Sequence, residues 1–140
     1  MFFNFFIFLF VSILIVLSTL GYGMVFSYKL FGNSRYLNLP LKGIFGIFFL
    51  YLISSFTHLV LPHNFVHNSI IIFLGLILFF KFSSRKNFEI YEFKLIVFFF
   101  TCLLLGFLIS KTNEDFSYYH LPNSLQFALN KLEFGLGNLN

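Results

Sequence analysis

Tryptophan is absent from this sequence, cysteine occurs once, proline three times, and only five acidic residues stand among 140. The lone Cys102 excludes an intrachain disulfide and a thiolate metal cluster. The shortage of charge excludes more. Charged residues make up 10% of the chain, against the quarter or so usual in a soluble domain, so water cannot be its main solvent. The formal charge of +4 is scattered between apolar runs rather than gathered into a stripe, which argues against nucleic acid as a partner. No phosphate loop, dinucleotide fingerprint or nucleophile elbow occurs.

What is present is hydrocarbon. Hydrophobic residues make up 59% of the chain, mean hydropathy is +0.89, and 26 Phe are spread from end to end. A single signal segment would not produce that distribution. The pattern predicts an all-α integral membrane protein with about four transmembrane helices, over 5–28, 43–61, 65–82 and 93–109, followed by a short interfacial helix within 111–140. The lipid bilayer is the expected partner.

The connections carry the orientation. Lys29, Arg35 and Lys42 fall in one segment with Gly32, Asn33 and Pro40, read as a turn-rich loop. Lys81, Arg85, Lys86 and Lys94, mixed with Glu89 and Glu92, form a second basic loop. The hairpin from Pro62 to Asn68 has neither Lys nor Arg. Alternating four crossings places seven of the nine Lys/Arg on one side, leaving only Lys111 and Lys131 on the other. By the positive-inside rule the basic loops are cytoplasmic, and both termini face outward across an inner membrane.

Past Ile109 the chemistry turns polar. Pro122 suits a helix's first turn, and Leu125, Ala128, Leu129 and Leu132 recur at helical spacing opposite Asn123, Gln126, Asn130 and Lys131. Such a helix lies along a membrane surface. The string Phe-Gly-Leu-Gly-Asn-Leu-Asn then ends without a charged tail, and continuation into a longer protein is the expectation.

Two clusters could carry chemistry. Glu114 and Asp115 are adjacent acids followed by Tyr118, Tyr119 and His120 at the expected membrane-water boundary. A carboxylate there can take a proton from an acceptor hydroxyl, a contribution of about 10²- to 10⁴-fold to rate. Tyr118 and Tyr119 can stack on a sugar, and His120 can bind a phosphate oxygen. Short loops also commonly carry an acid or two, and Tyr is enriched at interfaces, so spacing alone favours an ordinary interfacial loop over a site. His58, His63 and His67 form the second cluster. No carboxylate lies nearby to complete or orient a metal site, and hydrogen bonding to carbonyls or water is the alternative role. Gly21, Gly23, Gly43 and Gly46 are read as permitting close helix packing, and no cofactor is implied.

The string Lys111-Thr-Asn-Glu-Asp-Phe-Ser-Tyr-Tyr-His-Leu-Pro, with Lys131-Leu-Glu-Phe-Gly-Leu-Gly-Asn-Leu-Asn, resembles the start of a group of large bacterial multi-spanning proteins. Their layout is similar to that of fold C glycosyltransferases. The resemblance implies a membrane enzyme using a polyprenyl-phosphate sugar, with Asp115 and Glu114 matching an acidic motif that binds metal or activates the acceptor. Here the acidic loop follows the fourth helix rather than the first, and the pair is Glu-Asp rather than two Asp. The alternative function is a non-catalytic four-helix subunit or scaffold, because every Lys, Arg, Asp and Glu is expected at a helix end or in a loop rather than on a transport path.

Overall fold

The computed structural model describes residues 2–32, 37–83, 90–109 and 116–132. The described residues are all-α. They form α1 (Phe2–Phe31), α2 (Leu39–His58), α3 (Phe65–Ser83), α4 (Ile90–Ile109), a π-helical turn (Phe116–His120) and α5 (Leu121–Leu129). Among them α1, α2 and α3 are long and apolar enough to cross a membrane.

Helices α1, α2 and α4 each start three or four residues earlier than the hydropathy pattern places them, and capping chemistry explains the start of α2. Asn38 sits in extended backbone (φ −67°, ψ 161°) and its side-chain oxygen accepts from the Leu41 amide at 3.1 Å, so α2 begins at Leu39 with Pro40 in its first turn. Lys42, expected in a loop, is therefore helical and buried. Helix α4 begins at Ile90, which brings Glu92 out of the expected loop and into the helix. Glu92 Oε1 accepts from the Leu39 amide at 3.0 Å, placing a carboxylate on the positive end of α2. At its other end α2 stops at His58, three residues before Leu61, as the Val60 and Leu61 amides both fold back onto the Thr57 carbonyl. Helix α3 then starts where Asn64 caps it, accepting from the His67 amide at 3.0 Å.

Helix α1 lies between α2 and α3 and packs along both. Small residues permit it. A Cβ on Gly21 would collide with the Gly75 carbonyl and the Phe79 amide of α3; on Gly23 with the Lys42 carbonyl, and on Gly46 with the Thr19 carbonyl. These are backbone-to-backbone approaches, the mode by which helices associate when their solvent gives them no hydrophobic drive to do so. Gly43 differs from the expectation, since a Cβ there would make only ordinary contact with Leu20. Gly75, hidden in the apolar block of α3, is the partner the sequence pattern did not single out. Phe26 stacks on Phe49 with centroids 5.0 Å apart, and Tyr28 meets Phe82 at 5.9 Å.

The buried core is small and partly polar: Leu20, Tyr22, Met24 and Leu39 beside Ser18, Ser27, Lys42 and His58. Phe6, Phe10, Ile44, Ile47 and Phe73 each expose at least 60% of their surface. An apolar exterior of that extent suits hydrocarbon and not water. The Tyr28–Phe82 and Leu39–Glu92 contacts gather Lys29, Lys42, Lys81 and Lys94 at one end, the lysine end. The hairpin between α2 and α3 marks the opposite, histidine end.

Candidate functional site

A helix leaves its last carbonyls without intrahelical donors. At the end of α2 those acceptors recruit imidazoles and the chain beyond α5. His63 Nε2 donates to the Ser54 carbonyl at 3.0 Å, where Thr57 Oγ1 also donates at 3.2 Å. The Leu132 amide donates to the His58 carbonyl at 2.8 Å. His58 Nε2 donates in turn to the Asn130 carbonyl at 3.1 Å. Because a carbonyl only accepts, both Nε2 atoms carry the hydrogen.

The three rings lie against one another. His58 and His63 have centroids 4.3 Å apart, and His63 and His67 stack at 4.7 Å with their planes 9° apart. Phe127 of α5 meets His58 edge-on at 5.1 Å, and the His63 amide donates to the Phe127 carbonyl at 2.9 Å. Helix α5 is thus held on the hairpin by three hydrogen bonds and one ring contact. Burial holds His63 below the usual imidazole range, and repulsion from a charged His58 or His67 pushes it the same way; its bond to the Ser54 carbonyl pulls in the opposite direction. A protonated His63 ring at the centre of this stack costs free energy.

With the Nε2 positions of His58 and His63 committed to carbonyls and the rings stacked face to face, no group of three His, Cys, Asp or Glu among the described residues could hold an ion.

The other sequence-predicted site residues divide. Glu114 and Asp115 lie outside the described residues. Tyr118, Tyr119 and His120 are exposed on the π-helical turn that leads into α5, where Ser124 Oγ donates to the His120 carbonyl at 2.7 Å. They are carried to the histidine end by the docking of α5. No protein-family model, curated protein or solved structure matches this chain. Its function therefore has to be read from its own geometry.

Alongside the stack runs a groove. Among the described residues α2 and α3 make no extended contact with each other, because α1 separates them, and the gap between them is a cavity of about 430 Å³. Tyr22 of α1 lies at its base, with its hydroxyl donating to the Ile71 carbonyl at 2.8 Å. Ile53, Thr57, Ile70, Leu74 and Leu78 form its walls, and His67 stands at its polar end. Sequence reading missed this groove, and missed Asn64, Asn68, Phe127 and Asn130 as parts of the site. The signal for Asn64 was present in its place just ahead of the apolar run, an N-cap position. Nothing local marked Phe127 or Asn130.

Proposed function

We propose that this chain is a multi-pass protein of an inner membrane, with α1, α2, α3 and α4 as its four crossings. The lysine end is cytoplasmic, and the histidine end and both termini face outward. The apolar exterior of α1–α3 supports the first statement, and the clustering of Lys29, Lys42, Lys81 and Lys94 supports the second. Alkaline carbonate extraction tests insertion. Reporter tags near positions 35 and 85 test the sidedness, with both expected in the cytoplasm; tags found on opposite leaflets refute it.

At the outward face the arrangement serves a lipid-linked substrate, in the manner of a fold C glycosyltransferase. The observation that supports this reading is the docking of α5 on the α2–α3 hairpin, with Tyr118, Tyr119 and His120 exposed on the turn that leads into α5. There Tyr118 and Tyr119 stack on a sugar ring, His120 binds a phosphate oxygen, and Asp115 with Glu114 takes the proton of an acceptor hydroxyl. The donor in this scheme is a polyprenyl-phosphate sugar. Within the full-length protein, Asp115→Asn is expected to abolish sugar transfer while insertion is kept. Unchanged turnover removes Asp115 from the mechanism.

A second reading, a non-catalytic subunit, is favoured by α4. That helix bonds to α2 through Glu92 near its start, while Phe93, Val97, Phe98 and Leu105 stay exposed, as a surface for a partner's helix would be. Co-purification of a stoichiometric partner that is lost when Phe98 and Leu105 are replaced by Ala supports this alternative. An undisturbed complex in that variant opposes it.

A further inference from the structure

No Lys, Arg, Asp or Glu occurs from Gly43 to Phe80, and the turn that joins α2 to α3 lies in the middle of that stretch. The turn is built inside out. Among the described residues Phe65 is the most exposed large hydrophobic side chain, at 86%, and its neighbours in sequence Val60, Leu61 and Val66 are each more than half exposed. The polar groups point the other way. His63 Nε2 donates to the Ser54 carbonyl, Asn68 Nδ2 donates to the His63 carbonyl at 2.9 Å, and Asn64 Oδ1 accepts from the His67 amide. The Val60 and Leu61 amides both donate to the Thr57 carbonyl, and the His63 amide donates to that of Phe127. A turn standing in water has solvent for such groups and hides its apolar side chains. Within a bilayer the polar groups must be satisfied by the protein itself.

Helix length gives the turn a depth. From Lys42 to His58 along α2, and from Lys81 back to Phe65 along α3, the rise is about 24 Å at 1.5 Å per residue. Over all 20 residues of α2 it is about 30 Å, and a hydrocarbon core is roughly 30 Å thick. With the lysines at one face of the bilayer, both legs end at or just short of the opposite hydrocarbon boundary, and tilt only draws them deeper. The residues from Leu59 to Asn64 then close the turn where acyl chains meet head groups. Helix α5, docked on this turn through Phe127, is exposed along Leu121, Leu125 and Leu129, an apolar stripe of the kind that lies in the same zone.

We infer that the turn between α2 and α3 docks into the lipid leaflet at the histidine end, with Val60, Leu61, Phe65 and Val66 against phospholipid at the level where acyl chains meet head groups. Depth selects lipid as the partner, because an uncovered apolar surface at that level meets acyl chains and not water. The histidine stack is therefore seated within the membrane interface rather than above it. This inference rests on the membrane reading above but on none of the assignments to Asp115, Glu114 or the tyrosines.

Because the chain has no tryptophan, a single substituted Trp reports its own surroundings. The test uses the full chain in phosphatidylcholine vesicles, with Phe65→Trp and Val60→Trp in the turn and Phe73→Trp on the exposed middle of α3, each first shown by circular dichroism to keep the wild-type helix content. The quenchers are iodide on both sides of the membrane and phosphatidylcholine brominated either high or low on its acyl chains. In both turn variants the lipid brominated near the head group is expected to remove most of the emission, and iodide little of it. In Phe73→Trp the deeply brominated lipid quenches best. Turn variants quenched by iodide and by neither lipid overturn the inference, because those side chains then stand in water. Protection from every quencher overturns it as well, since a further segment or a second copy then covers the turn. With lipid quenching kept at Phe73→Trp, either result refutes this docking alone. Lipid quenching absent from every variant refutes the membrane reading, and this inference falls with it.

Discussion

The bundle of α1, α2 and α3 and the arm of α4 and α5 are joined by different physics. In the bundle, backbone meets backbone across Gly21, Gly23, Gly46 and Gly75, and shape leaves no room for a single added carbon. The arm is attached at points: Glu92 on the start of α2, Ile96 against the Leu20–Met24–Leu39 core, and the His58–Asn130 and His63–Phe127 bonds at the far end. Close packing yields rigidity without chemistry. Point attachment leaves polar groups exposed beside a defined scaffold, which a site needs.

The largest expected effect lies in the bundle. Gly21→Val drives a branched side chain into the Gly75 carbonyl and the Phe79 amide, neither of which can rotate away. A loss of about 3 kcal/mol is expected from overpacking alone, read as a lowered midpoint of unfolding in detergent. An unchanged midpoint would mean that α1 and α3 do not meet at these glycines.

His58→Phe strikes the arm. The variant removes the donor to Asn130 and leaves an unpaired carbonyl, at a cost of about 1–3 kcal/mol. Hydrogen exchange separates the two regions: the Leu132 and His63 amides should exchange faster, while those of α1 keep their protection. Uniform loss of protection would show that bundle and arm unfold together.

Acid should loosen the same dock. An unfolded His takes up its proton near pH 6.5, whereas folded His63 resists until the pH is lower, being buried and faced by His58 and His67. Its contribution to stability is therefore full above about pH 6.5 and falls as the pH drops from there to the lowered folded value. The described part of the docked segment adds His120 and Lys131 and no carboxylate to offset the gathering positive charge. Exchange of the His63 amide followed from pH 8 to pH 5 reports it. A flat profile would place the imidazoles in water.

Gly106→Ala gives the smallest effect and the sharpest contrast with Gly21. Nothing lies within 4 Å of a Cβ built on Gly106. Removing a helical glycine there should raise stability by about 0.5–1 kcal/mol, visible as a small rise in the same unfolding midpoint. Destabilisation would reveal a neighbour packed on α4.

Much of the helical layout was legible because each apolar run is bounded by a polar or turn-forming string. The errors fell at the ends. Hydropathy places a boundary where charge begins, but Asn38 caps α2 locally through the Leu41 amide and Glu92 reaches across the fold to the Leu39 amide, so α2 starts early enough to include Lys42. The candidate site was less legible. His58, His63 and His67 stood out as a cluster, and the lack of a nearby carboxylate favoured hydrogen bonding over a metal. Only the positions of Ser54, Asn130 and Phe127 decide for hydrogen bonding and stacking, and two of those three lie on a segment more than 60 residues away.

Composition and the alternation of charge along the chain, properties that need no contact between distant residues, by themselves determined that this protein is helical, apolar outside and basic at one end. Tertiary structure alone decided that α1 sits between α2 and α3, that a groove opens where those two are held apart, and that α5 closes onto the histidines. The reason is steric. Which helices come close depends on where glycines face one another across two helices, and no local pattern in either helix records that.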